Sequence, residues 1–318
     1  MTAAAVAFWP RLLALVAAST VTACAVSPQH GVGDLASAVQ VPATPFYPQE
    51  RFQCGPAALM TVLDYSGVDT SLDELVERVY LPARQGSLQA ELIAATRAYE
   101  RVPYVLDASL AAIVAELQQQ RPVLVLQNLG TSWFPRWHYA VVYAVDPVEK
   151  VVRLRSGLDK ERETPIPVFL KTWQRAGFWS MTALAPDQLP ANPDRERYFS
   201  AIAALEETGH LQAAQLGWQA AAQHWPDTTT PLFGLANTAF SLGDPAAAEL
   251  SYRAVLRLDS SHWGARNNLA YVLAASGHVS EALGELDAAL AEPDLSPTWR
   301  DELQDTRLEI LSMQAGPD

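Results

Sequence analysis

The sequence predicts a mixed α+β domain followed by an all-α array of stacked helix pairs. Three observations lead there. Beyond about residue 197, small residues and glycines recur every 34 positions, the period of a helix–turn–helix unit. Between residues 41 and 186, capped helical stretches alternate with short apolar runs of strand length. The charge balance also steps: residues 1–194 hold 15 basic and 18 acidic groups, whereas residues 195–318 hold 7 and 17. With 318 residues the chain has room for two domains of about 150 residues each. Apolar residues at 49% and charged residues at 18% are enough to bury real cores and exclude a disordered chain.

A net charge of -13 argues against a nucleic-acid partner. Two cysteines, Cys24 and Cys54, cannot build a disulfide framework or a four-thiolate zinc site. GxGxxG, P-loop and HExxH patterns do not occur. No metal and no organic cofactor is therefore expected.

Arg11 precedes the apolar run Leu12 to Ala18, then Ser19 to Ala23 lead to Cys24. One basic residue, a short apolar core and small residues before a cysteine read as a secretory signal over 1–23, with too few apolar residues to span a bilayer. Val21-Thr22-Ala23-Cys24 resembles the lipobox of bacterial lipoproteins. The resemblance implies a lipidated Cys24 as the mature N-terminus, hence a membrane contact through that anchor. Ala25, where an Asp would retain the protein elsewhere, implies the periplasmic side of the outer membrane. Residues 24–40 are small and polar, and read as a tether. A lipidated Cys24 leaves Cys54 unpaired in an oxidising compartment; the alternative is a Cys24–Cys54 disulfide.

In the first domain, Cys54-Gly55-Pro56 opens a helical stretch through Tyr65, with proline in the first turn where it is tolerated. Ser71 and Glu74 form a capping box for the next helix. Gln89–Tyr99 and Ser109–Leu117 read as further helices, and Pro122–Asn128 as a buried strand. His138 opens an apolar strand of seven residues, Asp146–Lys150 is a turn, and Val151–Arg155 is the return strand.

Cys54 at a helix N-terminus meets the positive end of the helix dipole, which favours thiolate over a thiol of ordinary pKa ~8.5. The bland alternative is a buried, inert cysteine. A thiolate nucleophile needs a base, and His138 is the histidine available to it in this domain. An oxyanion donor is also needed: Gln49 reaches back across the site, while its competitor Gln53 faces away if the segment is extended. The Cys54 backbone N–H is a second donor. Trp133, Phe134 and Trp137 either line a substrate cleft or pack a loop.

Gln49-x4-Cys54-Gly55-Pro56-Ala57-Ala58-Leu59, a later His138-Tyr139-Ala140-Val141-Val142 and the following hairpin resemble the double-glycine leader peptidases. These are papain-like cysteine peptidases, and the likeness covers residues 41–185. The resemblance implies an α+β papain-like fold, a Cys54–His138 pair and an oxyanion glutamine at Gln49. That family usually places an Asp opposite the histidine; here folding the hairpin about its turn puts Ser156 there. Ser156, Asp159 and Asp146 are the candidates for orienting the imidazole. Asp146 lies eight residues from His138, about 26 Å along a strand at ~3.3 Å per residue, and reads as a turn residue.

In the second half, Gly209, Gly243 and Gly277 are 34 apart, as are Ala214, Ala248 and Ala282, then Ala220, Ala254 and Ala288, and Leu205, Ala239 and Leu273. Glycine sits in each turn, and small residues sit where helices cross. Leu232–Asp244 followed by Ala247–Ala254 resembles the tetratricopeptide repeat, a likeness covering 197–292. It implies a concave surface for a peptide or protein partner. His210, His224, His262 and His278 have no spacing suited to a metal.

The expected organisation is a signal peptide (1–23), tether (24–40), papain-like peptidase domain (41–186), linker (187–196), tetratricopeptide repeats (197–292), and capping helix with tail (293–318). The expected function is a cell-envelope cysteine peptidase acting on a peptide or protein, with a repeat domain that recruits a partner. The alternatives are a peptidyl or acyl transferase with the same pair, or an inactive adaptor, which the absent carboxylate favours. For the N-terminus the expected result is a mature protein beginning at a lipidated Cys24, seen by mass spectrometry of material from bacterial membranes; an intact Cys24–Cys54 disulfide would be two mass units lighter than the unlipidated dithiol form.

Overall fold

The structure is a computed structural model that describes residues 36–49 and 52–315. The expected signal peptide, Cys24 and most of the expected tether lie outside the described residues. In chain order the elements are β1 (Val39–Gln40), α1 (Cys54–Tyr65), α2 (Leu72–Val79), a 3₁₀ turn (Pro82–Arg84), α3 (Gln89–Ala98), β2 (Val102–Val105), α4 (Leu110–Gln118), β3 (Val123–Asn128), β4 (Trp137–Asp146), β5 (Val151–Ser156), β6 (Asp159–Pro165), α5 (Ile166–Gln174) and β7 (Ser180–Leu184). Helices follow: α6 (Arg195–Glu207), α7 (Leu211–His224), α8 (Thr229–Ser241), α9 (Pro245–Leu258), α10 (Trp263–Ala275), α11 (Val279–Leu290) and α12 (Pro297–Ala315).

The strands form one antiparallel sheet in the order β2-β7-β3-β4-β5-β6, and β1 pairs with the end of β4. Strand β3 is buried along its whole length, as its continuous apolar run requires. Helices α1, α2 and α3 cover one face through Leu59, Leu63, Leu75 and Leu92 against Leu124, Leu126 and Val141. Helices α4 and α5 cover the other, with Ile113, Leu117, Phe169 and Trp173 against Val125, Ala140 and Val142. Ser71 and Glu74 make both halves of the capping box at α2, and Ser109 caps α4.

The first helix pair, α6 and α7, joins this second core: Tyr198, Phe199, Ile202 and Trp218 belong to the same buried cluster as the sheet. Polar contacts reinforce the joint. Asp194 N donates to Tyr104 Oη at 2.9 Å, Arg197 reaches the Val105 carbonyl and Asp107 at 2.9 Å each, and Ala191 N donates to Glu116 at 2.7 Å. The segment 187–196 thus packs on the sheet domain. The remaining helices share a separate core built on Tyr252, Leu269, Leu273 and Leu286.

The 34-residue period has a visible cause. Gly209, Gly243 and Gly277 have φ of +84°, +82° and +84°, the left-handed conformation that lets each helix turn back on its partner. Ala214, Ala248 and Ala282 are fully buried at the crossings. The third alanine series departs from expectation. Ala288 is exposed, and Ala289 takes the inward place beside Leu286. Replacing Gly243 with alanine forces a side chain into the left-handed region. The expected loss is about 1–2 kcal/mol, read as a lower urea midpoint with unchanged slope.

Candidate active site

Cys54 is the first residue of α1, and Gln53 precedes it as cap residue. The helix enters close against the segment Gly86–Leu88. A Cβ on Gly55 would lie 2.4 Å from Ser87 Oγ, so only glycine admits this approach. On its other side the thiol meets the start of β4, where the Tyr139 backbone N–H points at the sulfur. Tyr139 is itself fixed, with its hydroxyl donating to the Ser87 carbonyl at 3.3 Å and its ring edge-on to Trp179.

These contacts decide the thiol's acidity, against the sequence expectation. Burial between α1 and β4 pushes the Cys54 thiol above its ordinary pKa; backbone N–H groups of Tyr139, Gly55 and Cys54 itself pull the other way and only partly offset it. The helix N-terminus therefore does not by itself yield a resting thiolate. Cys54 is a free thiol.

His138 lies one residue before Tyr139, at the start of β4 and opposite Gln127 of β3. Its Nε2 is 2.8 Å from Ser156 Oγ. The partner is the residue anticipated, but the register differs. A bulge between Val142 and Ala144 sets Arg155 opposite Val141, so Ser156 falls level with Ala140 and reaches the imidazole along the diagonal. Burial, then the guanidiniums of Arg162 and Arg136, lower the His138 pKa to about 4. With Nε2 held by Ser156, Nδ1 is the ring nitrogen left for the thiol.

Cys54, His138 and Gln49 line one cleft of about 890 Å³. Gln49 arrives on a strap from β1 that is pinned at several points. Val41 N donates to the Tyr143 carbonyl at 2.8 Å, and Arg155 donates twice to the Thr44 carbonyl, at 3.1 and 2.9 Å. Tyr47 Oη donates to Asp64 at 2.5 Å, and Gln49 N to the Gly157 carbonyl at 3.3 Å. Gln53 does not line the cleft. Asp146 accepts from the backbone N–H groups of Val148 and Glu149, each at 2.9 Å, and so serves the turn. Asp159 is exposed and accepts from Glu161 N at 3.1 Å.

The aromatic loop splits. Pro135 and Trp137 line the cleft, while Trp133 and Phe134 stand out at 89% and 81% exposure. Buried Asn128 braces the loop, its Oδ1 accepting from Gly130 N and Arg136 N at 2.9 Å each. Among the described residues, no group of histidine, cysteine, aspartate or glutamate side chains is placed to hold a metal ion. Arg155, the Tyr139 backbone and the wall Arg84–Gln89 carry no functional motif in the sequence.

The fold is a mixed α/β domain that carries the cleft, followed by a run of helix pairs. Residues 42–181 match the Peptidase_C39 like family, and residues 199–260 and 233–297 match the tetratricopeptide repeat. Among curated proteins none matches the chain. Of solved structures, a C39-like peptidase from Bacillus anthracis is 15% identical, with TM-score 0.39, over 46% of this chain and 97% of that one. A double-glycine motif protease from an AMS/PCAT transporter, in complex with its leader peptide, is 17% identical, with TM-score 0.35, over 46% and 96%. The type III secretion translocator chaperone SycD of Yersinia enterocolitica is 18% identical, with TM-score 0.34, over 38% and 85%.

Proposed function

We propose that the chain is a cysteine peptidase that cleaves peptide bonds with Cys54 and His138, and that its repeats recruit a protein or peptide partner. The observation that carries this reading is the convergence of three groups on one cleft: a free thiol on the first residue of α1, an imidazole braced through Nε2, and the Gln49 amide.

The chemistry follows from the resting charges. A thiol raised by burial and an imidazole lowered to about 4 are both neutral near pH 7. In this mechanism Ser156 accepts the Nε2 proton, so Nδ1 is the basic nitrogen. His138 takes the thiol proton as sulfur attacks the substrate carbonyl. The oxyanion is held by the Gln49 side chain and the Cys54 N–H. His138 returns the proton to the leaving amine as the C–N bond breaks, then activates the water that hydrolyses the thioester. A serine hydroxyl fixes the ring but stabilises imidazolium less than a carboxylate does, so turnover is slow rather than absent. The signal and lipobox readings place this activity at the periplasmic side of the outer membrane, held by a lipidated Cys24.

The neutral pair also favours a second reading, an inactive adaptor. Iodoacetamide labelling separates the two: acceleration of Cys54 labelling that is lost in His138→Ala supports the peptidase, whereas a free-thiol rate insensitive to His138→Ala supports the adaptor.

Three outcomes are expected. Peptide cleavage disappears in Cys54→Ala while circular dichroism is unchanged. The acid limb of kcat/KM falls near pH 4, because the imidazole must be neutral to act as base and stays so down to that value. In Ser156→Asp an anion beside the ring favours imidazolium, so the limb moves to higher pH; an unmoved limb would contradict the role of His138 as base.

A further inference from the structure

The whole chain is acidic, with 35 acidic against 22 basic side chains, yet the described lining of the cleft is not. Among the described residues that line it, the only formally charged side chains are Arg84 and Arg136. They come from separate segments, Arg84 from the 3₁₀ turn after α2 and Arg136 from the braced loop before β4. Both are exposed, and neither guanidinium has an ion-pair or hydrogen-bond partner among the described residues.

Several other arginines of the chain are paired with carboxylates. Arg153 bonds Glu163 at 2.9 Å, Arg197 bonds Asp107 at 2.9 Å, Arg253 bonds Glu249 at 2.9 Å and Arg266 bonds Glu285 at 3.0 Å. Carboxylates are plentiful, and the fold spends them on arginines elsewhere. The cleft pair is left with open guanidinium forks, the donor geometry that matches a carboxylate with two parallel hydrogen bonds. A concave wall of one sign also concentrates ligands of the opposite sign. The field reaches the reacting groups, since Arg136 together with Arg162 of β6 acts on the imidazole.

Resting on the peptidase reading, we infer that the cleft selects peptides with acidic side chains near the scissile bond, held by Arg84 and Arg136. Gln85, Gln89 and Gln49 supply neutral polar contacts along the same cleft. A lysine-bearing peptide meets like charge from both of these arginines. The preference resides in association and ground-state binding, so it acts on KM more than on kcat.

The test uses three decapeptide pools with acetylated and amidated ends and a central Gly-Gly. Their other positions draw on Ala, Leu and Ser plus one of Glu, Gln or Lys. Binding to the full chain carrying Cys54→Ala is read by anisotropy with an uncharged dye, and cleavage is read with the wild-type chain. The Glu pool is expected to bind about 2- to 25-fold tighter than the Gln pool, since two exposed ion pairs each contribute about 1.4- to 5-fold. The Lys pool is expected to bind weakest. The preference is expected to vanish at about 1 M salt and in the Arg84→Ser, Arg136→Ser double variant. Equal binding of Glu and Gln pools, binding of none, or a preference that survives the double variant or high salt overturns the inference. Glu preference without any Cys54-dependent cleavage upholds the electrostatic selection and ends the peptidase reading instead.

Discussion

The first turn of α1 is wedged between the Gly86–Leu88 segment and the start of β4, and the site exists because of that wedge. Gly55 permits it by having no side chain where Ser87 comes closest. The same contact sets Cys54 against the Tyr139 N–H and buries the sulfur. Two effects of opposite sign follow from one geometry. Backbone N–H groups favour the anion, and removal of water disfavours it more strongly, so the resting thiol keeps its proton. The imidazole on the adjoining residue is subject to the same burial, with two guanidiniums adding to the effect. The two side chains are thus both uncharged at rest near pH 7.

Strand β4 links that site to the rest of the molecule. Its middle is a buried apolar run in contact with both cores, and its first residues carry His138 and Tyr139. On the far side of the sheet the first helix pair of the repeats shares the core of α4 and α5. The repeat array is therefore not hung from a free string: Tyr104, Glu116 and Asp107 engage Asp194, Ala191 and Arg197 at its base. The base of the repeats is thereby held in a defined direction relative to the sheet domain.

Much of this was legible in the residues. The helices opened by Cys54, Ser71 and Ser109 announce themselves through proline, capping box and N-cap, and the 34-residue period declares the helix pairs through glycines that must be left-handed. What stayed hidden is non-local. Strand β7, Ser180-Met-Thr-Ala-Leu, lies between β2 and β3, but its short mixed sequence carries no alternation to mark it. The bulge in β4 that shifts the register of Ser156 by one place has no local signature in an unbroken apolar run. The acidity of Cys54 was misjudged because the helix dipole can be read from a sequence, whereas the burial opposing it depends on a strand more than eighty residues away.

At the open margin of the sheet, β6 reads Asp159-Lys160-Glu161-Arg162-Glu163 before Thr164 and Pro165, and nearly all of it is exposed. Its free backbone groups would otherwise offer a template for an incoming extended segment. Charges of both signs on successive residues, closed by a proline, make that margin a poor place for β-augmentation or for edge-to-edge aggregation. An unfolded polypeptide approaching the protein is thereby discouraged from zipping onto the outermost strand.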